Sequence, residues 1–495
     1  MVLNVSARYL WLPVSKAAPP VKLRFSCAGR LFQEMDLRLA PQYCTDYYAP
    51  MDLGDYRGRE IEITSALPDA ALSVLSFQDA PPPTVCPFRP LLHCTADTGW
   101  INDPNGLVYA DGLWHLYHQW NPYGTEWGNM HWGHAVSRDL ITWRWQGPAM
   151  APDEYGTVYS GCCWPDRENA AGFGPDALLF FYTAAGGRNQ WSADAGNPFT
   201  QRLAVSADSG ASLRKEGLIL PHIRGENRDP KVFHHPQSDA YIMVLYLDGN
   251  EFALFRSRDL LRWEESQRFS APDMWECPDL FELPVDNEPG VRKWVFWSAD
   301  GYYLVGRFDG FRFTPESDVL SAYDTRLPYA AQTFAGAGDR VISVAWLRTE
   351  SDRGHFRGMM SLPAELTLLR QESGYRVRLR PVRALWDHFT LSRSFSPSPS
   401  PLRLPLSGRP VLLEAVWEPG REKTILAGGQ RVPVSSNGDT VLFLLDHGIV
   451  EYWGDDGLIW GALETDVAGL SGSVEFSPGT VRVRLYEFRE DPPAP

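Results

Sequence analysis

The sequence predicts an all-β protein: a five-bladed β-propeller, a C-terminal β-sandwich after it, and an additional small β domain ahead of both. Three observations carry that reading. Short apolar runs alternate with turn-forming residues along nearly the whole of the 495-residue chain. Glycine (42) and proline (40) are abundant beside tryptophan (19), tyrosine (20) and phenylalanine (24), a mixture that suits many short strands joined by tight turns. And Ser137-Arg138-Asp139-Leu140-Ile141-Thr142-Trp143 recurs as Ser257-Arg258-Asp259-Leu260-Leu261-Arg262-Trp263, as expected where one supersecondary unit is repeated.

Residues 1–83 read as the small N-terminal β domain. Val21-Lys22-Leu23-Arg24-Phe25 and Glu60-Ile61-Glu62-Ile63 alternate as half-buried strands do, turn residues fill 52–58, and Pro81-Pro82-Pro83 is a stiff connector. From 86 to 365 short strands follow one another. The runs 113–117, 178–182, 241–246, 252–255, 294–297 and 302–305 lie beside Asp111-Gly112, Gly174-Pro175-Asp176, Asp248-Gly249 and Asp300-Gly301. Asp-Gly between apolar runs is a strong hairpin signal. Groups of about four such strands, roughly five in number and ending near residue 368, make a propeller, each copy of the repeat closing a hairpin group. The tail, 366–495, opens with a Ser-Pro-rich loop at 396–405. Strand patterns resume at 411–413, 441–445 and 481–485, with turns at Asn437-Gly438 and Asp456-Gly457, which together suggest a sandwich.

Charge and cysteines narrow the class. A formal net charge of −15 argues against nucleic acid or an anionic membrane as partner and favours a neutral substrate. No basic segment followed by an apolar core opens the chain, and no run is long enough to span a bilayer. Seven cysteines, an odd count with Cys162 and Cys163 adjacent, do not form a disulfide framework. A cytoplasmic protein with reduced thiols is expected, although a secreted protein trimmed of its leader would look the same at the N-terminus. The oligomeric state stays open, a homo-oligomer included.

The chain is organised around Trp100-Ile101-Asn102-Asp103-Pro104-Asn105-Gly106. Asp103 stands between two carboxamides and before a proline that biases it away from helix. Neighbouring amides that hydrogen-bond an ionised carboxylate keep its pKa low, which suits a nucleophile; an ordinary turn would have the same composition. Two more acids sit in uncommon contexts. Arg228-Asp229-Pro230 joins a carboxylate to a guanidinium, and either can grip sugar hydroxyls. Trp275-Glu276-Cys277-Pro278-Asp279 sets a glutamate between a large aromatic and a thiol, and an apolar wall favours the protonated form that a general acid needs. Cys277 reads as an accessible thiol or as a small packing residue. Taken singly, each acid could be an ordinary ion pair or loop residue.

In this order, the motifs resemble glycoside hydrolase family 32, the invertases and fructan hydrolases. The match is close from 92 to 145, through His93, the block at 100–106, Tyr117-His118-Gln119-Trp120-Asn121-Pro122 and Trp127-Gly128-Asn129-Met130-His131-Trp132-Gly133-His134-Ala135. It continues at Tyr159-Ser160-Gly161, Asn227-Arg228-Asp229-Pro230, Trp275-Glu276-Cys277-Pro278-Asp279 and Arg357-Gly358-Met359-Met360-Ser361-Leu362-Pro363-Ala364-Glu365-Leu366. The resemblance implies a five-bladed propeller with a sandwich behind it, in line with the strand count. It implies Asp103 as nucleophile, Glu276 as general acid/base, Asp229 as the acid that steadies the transition state, and Asn102, Gln119, Trp127, Ser160 and Arg228 around the terminal fructose. Three positions depart from the family pattern. Ile101 replaces methionine at little cost. Asn227 replaces phenylalanine and Tyr159 replaces phenylalanine or tryptophan, both expected to alter the rim of the fructose pocket.

The implied reaction is hydrolysis of β-D-fructofuranosides (fructans, fructo-oligosaccharides or sucrose) with retention, for which the two carboxyls stand about 5 Å apart. No cofactor or metal is called for; His131 and His134 are better explained as structural residues of a strand. Fructosyl transfer or hydrolysis of sucrose 6-phosphate would use the same acids, and a non-catalytic sugar-binding propeller would leave them idle.

Overall fold

The computed structural model describes residues 1–489 apart from 42, 85, 87, 352, 397–399, 407, 419–422, 435–437, 466–471 and 479. Part of the expected linker at 396–405 and Asn437 of the Asn437-Gly438 turn therefore lie outside the described residues. The fold is all-β, consistent with a β-propeller plus a β-sandwich.

Two small sheets come first. Val2–Asn4, Glu60–Ser65, Val21–Cys27 and Arg30–Leu37 form one, and Tyr47–Asp52, Tyr9–Val14 and Ser76–Gln78 the other. The alternation in the sequence sets their faces: Leu23, Phe25, Ile61 and Ile63 are buried, with Phe25 opposite Ile63. These side chains share a core with Leu10, Leu12 and Met35, so the two sheets pack on each other.

Five antiparallel sheets then follow in chain order, each built outward from its first strand. The first strands are Gly99–Ala110, Thr157–Asp166, Arg228–His235, Asp279–Pro284 and Pro328–Thr333. Gly99–Ala110 touches both Thr157–Asp166 and Pro328–Thr333, and Thr157–Asp166 touches Arg228–His235, so first strands gather on an inner side. The short strand Phe356–Arg357 pairs in parallel with Gly99 and Trp100 and joins the late part of this region to its beginning. Middle strands are buried along their length, as in Ala177–Ala185, where every residue is buried; a continuous apolar run is what a strand covered on both faces requires. Fourth strands such as Arg144–Met150 alternate between exposed and half-buried positions. The expected hairpins are present: Asp111 (φ +49°) and Gly112 (φ +75°) take the left-handed pair of conformations that a tight hairpin turn needs.

The internal repeat differs in place from the expectation. Each copy joins the third strand of a sheet to its fourth rather than closing a group: His131–Ser137 to Arg144–Met150, and Glu251–Ser257 to Glu264–Ser270. The reason for the repeat is local. Asp139 Oδ1 accepts from the amides of Ile141 (2.9 Å) and Thr142 (2.8 Å), and Asp259 Oδ1 from those of Leu261 (3.0 Å) and Arg262 (2.8 Å). Between them Leu140 and Leu260 take positive φ and bury their side chains. The expected boundary at 365/366 falls within the strand Ala364–Gln371, which pairs with Ile342–Leu347 and with Gly374–Pro381 in the fifth sheet.

The tail forms a six-stranded and a four-stranded sheet. Side chains from both, among them Leu413, Phe443, Val474 and Phe476, share one core, as in a sandwich. Leu412, Leu444, Trp453 and Trp460 instead join the core of the preceding sheets, so the two parts adhere through apolar packing.

A buried ionic triad adds to that seam. His93 lies between Asp446 (2.8 Å) and Glu451 (3.0 Å) with no side-chain exposure on any of the three. Asp446 also accepts from the amides of Leu91 and Leu92, and Glu451 from the amide of Leu362 and the indole of Trp460. Burial opposes charge on His93, but its hydrogen bonds to Asp446 and Glu451 outweigh it and push the imidazole up to about 9. Burial also opposes the Asp446 carboxylate, and the hydrogen bonds from His447 and His93 reverse this and hold it low. A raised imidazole stabilises fully below its unfolded value near 6.5 and loses that contribution as pH rises towards 9; a depressed carboxylate stabilises above about pH 4 and loses it on acidification. His93→Gln leaves two buried carboxylates without their cation. It is expected to cost about 3–5 kcal/mol of stability and to flatten the decline between pH 6.5 and 9, measured by denaturant unfolding across that range.

Candidate active site

One structural device presents most of the site. In four of the five sheets the first strand carries a bulge in which two residues oppose one of the next strand. Asn102 and Asp103 stand opposite Gln119, Tyr159 and Ser160 opposite Thr183, Asp229 and Pro230 opposite Leu245, and Ala330 and Ala331 opposite Ala345. An extra residue breaks the pleat and re-aims a side chain. In the fourth sheet Glu276 and Cys277 just precede the first strand, both at positive φ (+29° and +47°), as is Asp229 (+63°). Such conformations cost on the order of 1–3 kcal/mol each in a residue that is not glycine, and they gather where side-chain placement matters.

The block at 100–106 is thus not a turn; it lies inside Gly99–Ala110. Gly106 sits at φ +54°, and a Cβ there would come within 2.9 Å of the Tyr117 ring, so only glycine fits.

All eight sequence-predicted residues, Asn102, Asp103, Gln119, Trp127, Ser160, Arg228, Asp229 and Glu276, line one cleft of about 290 Å³. That is at the small end for ligand pockets of roughly 300–1,000 Å³, and it suits one sugar ring. Asp103 Oδ2 accepts a hydrogen bond from Ser160 Oγ at 2.6 Å. Of the two flanking carboxamides, one acts as expected and the other does not. Asn102 supports Asp103 and itself accepts from the Trp100 indole (3.0 Å), but Asn105 turns away and accepts from the amide of Gly161 (3.2 Å). Nor is Asp103 held low: burial raises it, hydrogen bonds from Ser160 and Asn102 pull it back, and the nearby charge of Glu276 raises it further.

Asp229 is buried and accepts from the Cys277 amide at 3.0 Å. Burial raises its carboxyl and Arg228 opposes the rise, while Glu276 and Asp103 add to it. The Cys277 thiol lies 3.5 Å from Asp229 Oδ2 and 3.7 Å from Asp103 Oδ2. Burial first, and then these carboxylates, push the thiol well above its ordinary value, so it is a neutral donor between two acids rather than a reactive thiolate.

Glu276 does not rest on an apolar wall. Its Oε2 is held by Arg228 Nη2 (2.7 Å) and Nε (3.2 Å), and its Oε1 accepts from the Tyr329 hydroxyl. Trp275 contributes at one remove, through its indole N–H to the Tyr329 oxygen at 3.0 Å. Arg228 is fixed in turn by the Glu226 carbonyl (2.9 Å) and by the Tyr246 ring, 4.6 Å from its guanidinium carbon. Gln119 is anchored on the Val158 carbonyl (2.8 Å), whereas Trp127 is half exposed at the rim, edge-on to Tyr159.

Four lining residues escaped the sequence reading: Tyr329, Trp346, Arg188 and Glu226. Glu226 lies two positions before Arg228 and could have been suspected; the others have no local motif. Of the two rim substitutions, Tyr159 does line the cleft. Asn227 does not: it is fully buried, and its Oδ1 accepts from the amides of Ile223 (3.1 Å) and Arg224 (3.3 Å), so the asparagine closes a turn. His131 meets Gln33, and His134 bonds His115 and stacks on Tyr117.

Four carboxylates, two guanidiniums, amides and aromatic rims around a ring-sized hollow can hold a neutral polyhydroxylated ring and offer it both a nucleophile and a proton donor. The profile of the glycosyl hydrolases family 32 N-terminal domain matches residues 93–381, more than half of the chain, and the chain belongs to that family. The levanase of Bacillus subtilis is 35% identical over 346 residues, 62% of this chain and 50% of the levanase. The invertase of Debaryomyces hansenii is 32% identical over 320 residues, 58% of this chain and 58% of the invertase. The chain spans about half the length of the curated relatives it matches. The crystal structure of the exo-inulinase from Aspergillus awamori aligns with a TM-score of 0.73, over 82% of this chain and 99% of its own, at 22% identity, and shares the fold.

Proposed function

We propose that the protein is a retaining β-fructofuranosidase that removes terminal β-D-fructofuranosyl residues from fructans, fructo-oligosaccharides or sucrose. The observation that carries this is the meeting of Asp103 and Asp229, from the first strands of two sheets, with Glu276, from the segment leading into a third, in one ring-sized cleft. The relatives named levanase, invertase and exo-inulinase support a fructosyl substrate.

Asp103, steadied by Ser160, attacks C2 of the bound fructosyl ring. Glu276 gives its proton to the departing glycosidic oxygen, so the C2–O bond breaks as the C2–carboxylate bond forms. Glu276 then takes a proton from water, which attacks C2 and releases fructose and free Asp103. Asp229 and Arg228 hold ring hydroxyls whose hydrogen bonds strengthen as positive charge develops. Asn102, Gln119 and Trp127 complete the fructose site. Tyr329 orients the Glu276 carboxyl.

In this reading the five consecutive sheets are propeller blades around the cleft, and the two sheets before them are a separate domain. Seven unpaired cysteines favour a cytoplasmic setting. The test is release of reducing sugar from sucrose, inulin and levan, with the anomer first formed read by NMR. Free fructose appearing first as the β-anomer is expected; a first-formed α-anomer, or no release from any of the three, refutes the proposal.

A further inference from the structure

The N-terminal β unit takes no part in that chemistry, yet it forms one wall of a second groove beside the catalytic cleft. This groove, of about 490 Å³, has Lys16, Pro20, Asp36 and Arg38 on the N-terminal side and the segment 121–130 opposite. Trp127 and Arg188 line both the groove and the catalytic cleft, so the two spaces meet at these side chains.

The junction is built from specific contacts. Asn129 pairs with the backbone of Asp36 in both directions: the Asp36 amide donates to Asn129 Oδ1 and Asn129 Nδ2 to the Asp36 carbonyl, each at 2.8 Å. Arg38 meets Glu126, the residue before Trp127, at 3.3 Å. Gln33, buried in the N-terminal unit, donates to the Tyr123 hydroxyl at 3.1 Å. The segment that carries Trp127 is thus gripped by the N-terminal unit at three points. What this presents to solvent is a half-exposed indole next to an amine, a guanidinium and carboxylates of both walls. Lys16, Arg38, Arg188 and Arg357 face Asp36 and Glu126 across this space, and donors and acceptors of both kinds beside an aromatic platform suit a polyhydroxylated chain.

We infer that the groove binds the second and later residues of a β-fructan whose terminal fructose occupies the catalytic cleft, with the chain passing over Trp127. This rests on the function proposed above and assigns the N-terminal unit to substrate choice: it would favour oligomers and polymers over sucrose, which has one sugar beyond the fructose.

Two variants of the full chain test it. Pro20→Trp adds bulk at an exposed groove position, and Lys16→Ala removes a donor from the wall. KM is measured on sucrose, a fructo-oligosaccharide series and inulin or levan, with thermal unfolding to verify the fold. The expected result is a rise of about fivefold or more in KM for the longer substrates, the size that loss of one or two hydrogen bonds produces, with kcat and the sucrose parameters within about twofold of wild type. Unchanged KM on the polymers in both variants overturns the inference, as does equal impairment on sucrose and polymer, or a wild type that cleaves sucrose alone. A wild type inert on every fructoside fails at the proposed function instead, so the two failures are told apart.

Discussion

Asp103→Asn should lower turnover on sucrose or fructan by on the order of 10⁴-fold or more, the scale on which loss of a nucleophile acts. The substitution keeps the shape of the side chain and removes only the attacking charge. Ser160 can still donate to the amide oxygen, and Asp229, Arg228 and Gln119 still surround the ring, so fructose should bind nearly as in the wild type. The measurement is kcat together with fructose affinity by calorimetry, with deamidation back to aspartate excluded by mass spectrometry. Retained turnover would remove Asp103 from the mechanism. The wild type offers a second reading of the same group. Burial and the neighbouring Glu276 charge raise the Asp103 carboxyl. A nucleophile must be ionised, so activity should be lost as pH falls through a value above the usual 3.9 of an aspartate.

Much of this architecture could be read from the chain because the strands in the middle of each sheet are buried on both faces. Ala177–Ala185 and Ala240–Asp248 are almost wholly apolar, and Gly186-Gly187 and Asp248-Gly249 mark where they reverse. The outer strands Arg144–Met150, Arg214–Leu220 and Glu264–Ser270 left no comparable signal, since half of each faces solvent and their registers are interrupted. The first strands were hardest. A bulge breaks the period of two on which strand recognition depends, and that break is how Asp103 and Asp229 come to face the cleft. Hence the block at 100–106 looked like a turn while being the inner strand of a sheet.

The same contrast separates the site residues that could be found from those that could not. Asp103, Arg228-Asp229 and Glu276 each sit beside a proline or in a dense local motif, and the family resemblance fixed their order. Their electrostatic surroundings depend on residues far along the chain. Nothing near position 276 announces Tyr329, which reaches it across 53 residues, and nothing near position 105 announces that Asn105 serves Gly161, 56 residues away. Local context suggested amides that hold Asp103 low and an indole that walls Glu276; tertiary contacts supplied burial for the first and a guanidinium with a phenol for the second.

Glu276→Gln should show a deficit that depends on the leaving group, and that dependence separates a proton donor from a residue that only shapes the pocket. Glutamine keeps the volume and can still accept from Arg228, while the Tyr329 hydroxyl can turn to accept from the new amide, so the neighbours that hold Glu276 are retained. Cleavage of sucrose or fructan expels a sugar alkoxide and should fall roughly 10²–10⁴-fold, the range that general acid catalysis supplies. A fructoside whose leaving group is a good one, such as a dinitrophenolate, needs little protonation, so Asp103 should still displace it in a first step close to the wild-type rate. The fructosyl-enzyme would then accumulate, because water has lost the base that deprotonates it. Azide needs no base: it attacks C2 directly, the Asp103 carboxylate leaves, and the product is fructosyl azide with the configuration of the substrate. Rapid-quench kinetics should therefore show a burst of leaving group followed by slow turnover, and added azide should speed that second phase. Equal impairment on good and poor leaving groups, with azide inert, would show that Glu276 supplies no proton and that the acid must be sought elsewhere along the cleft.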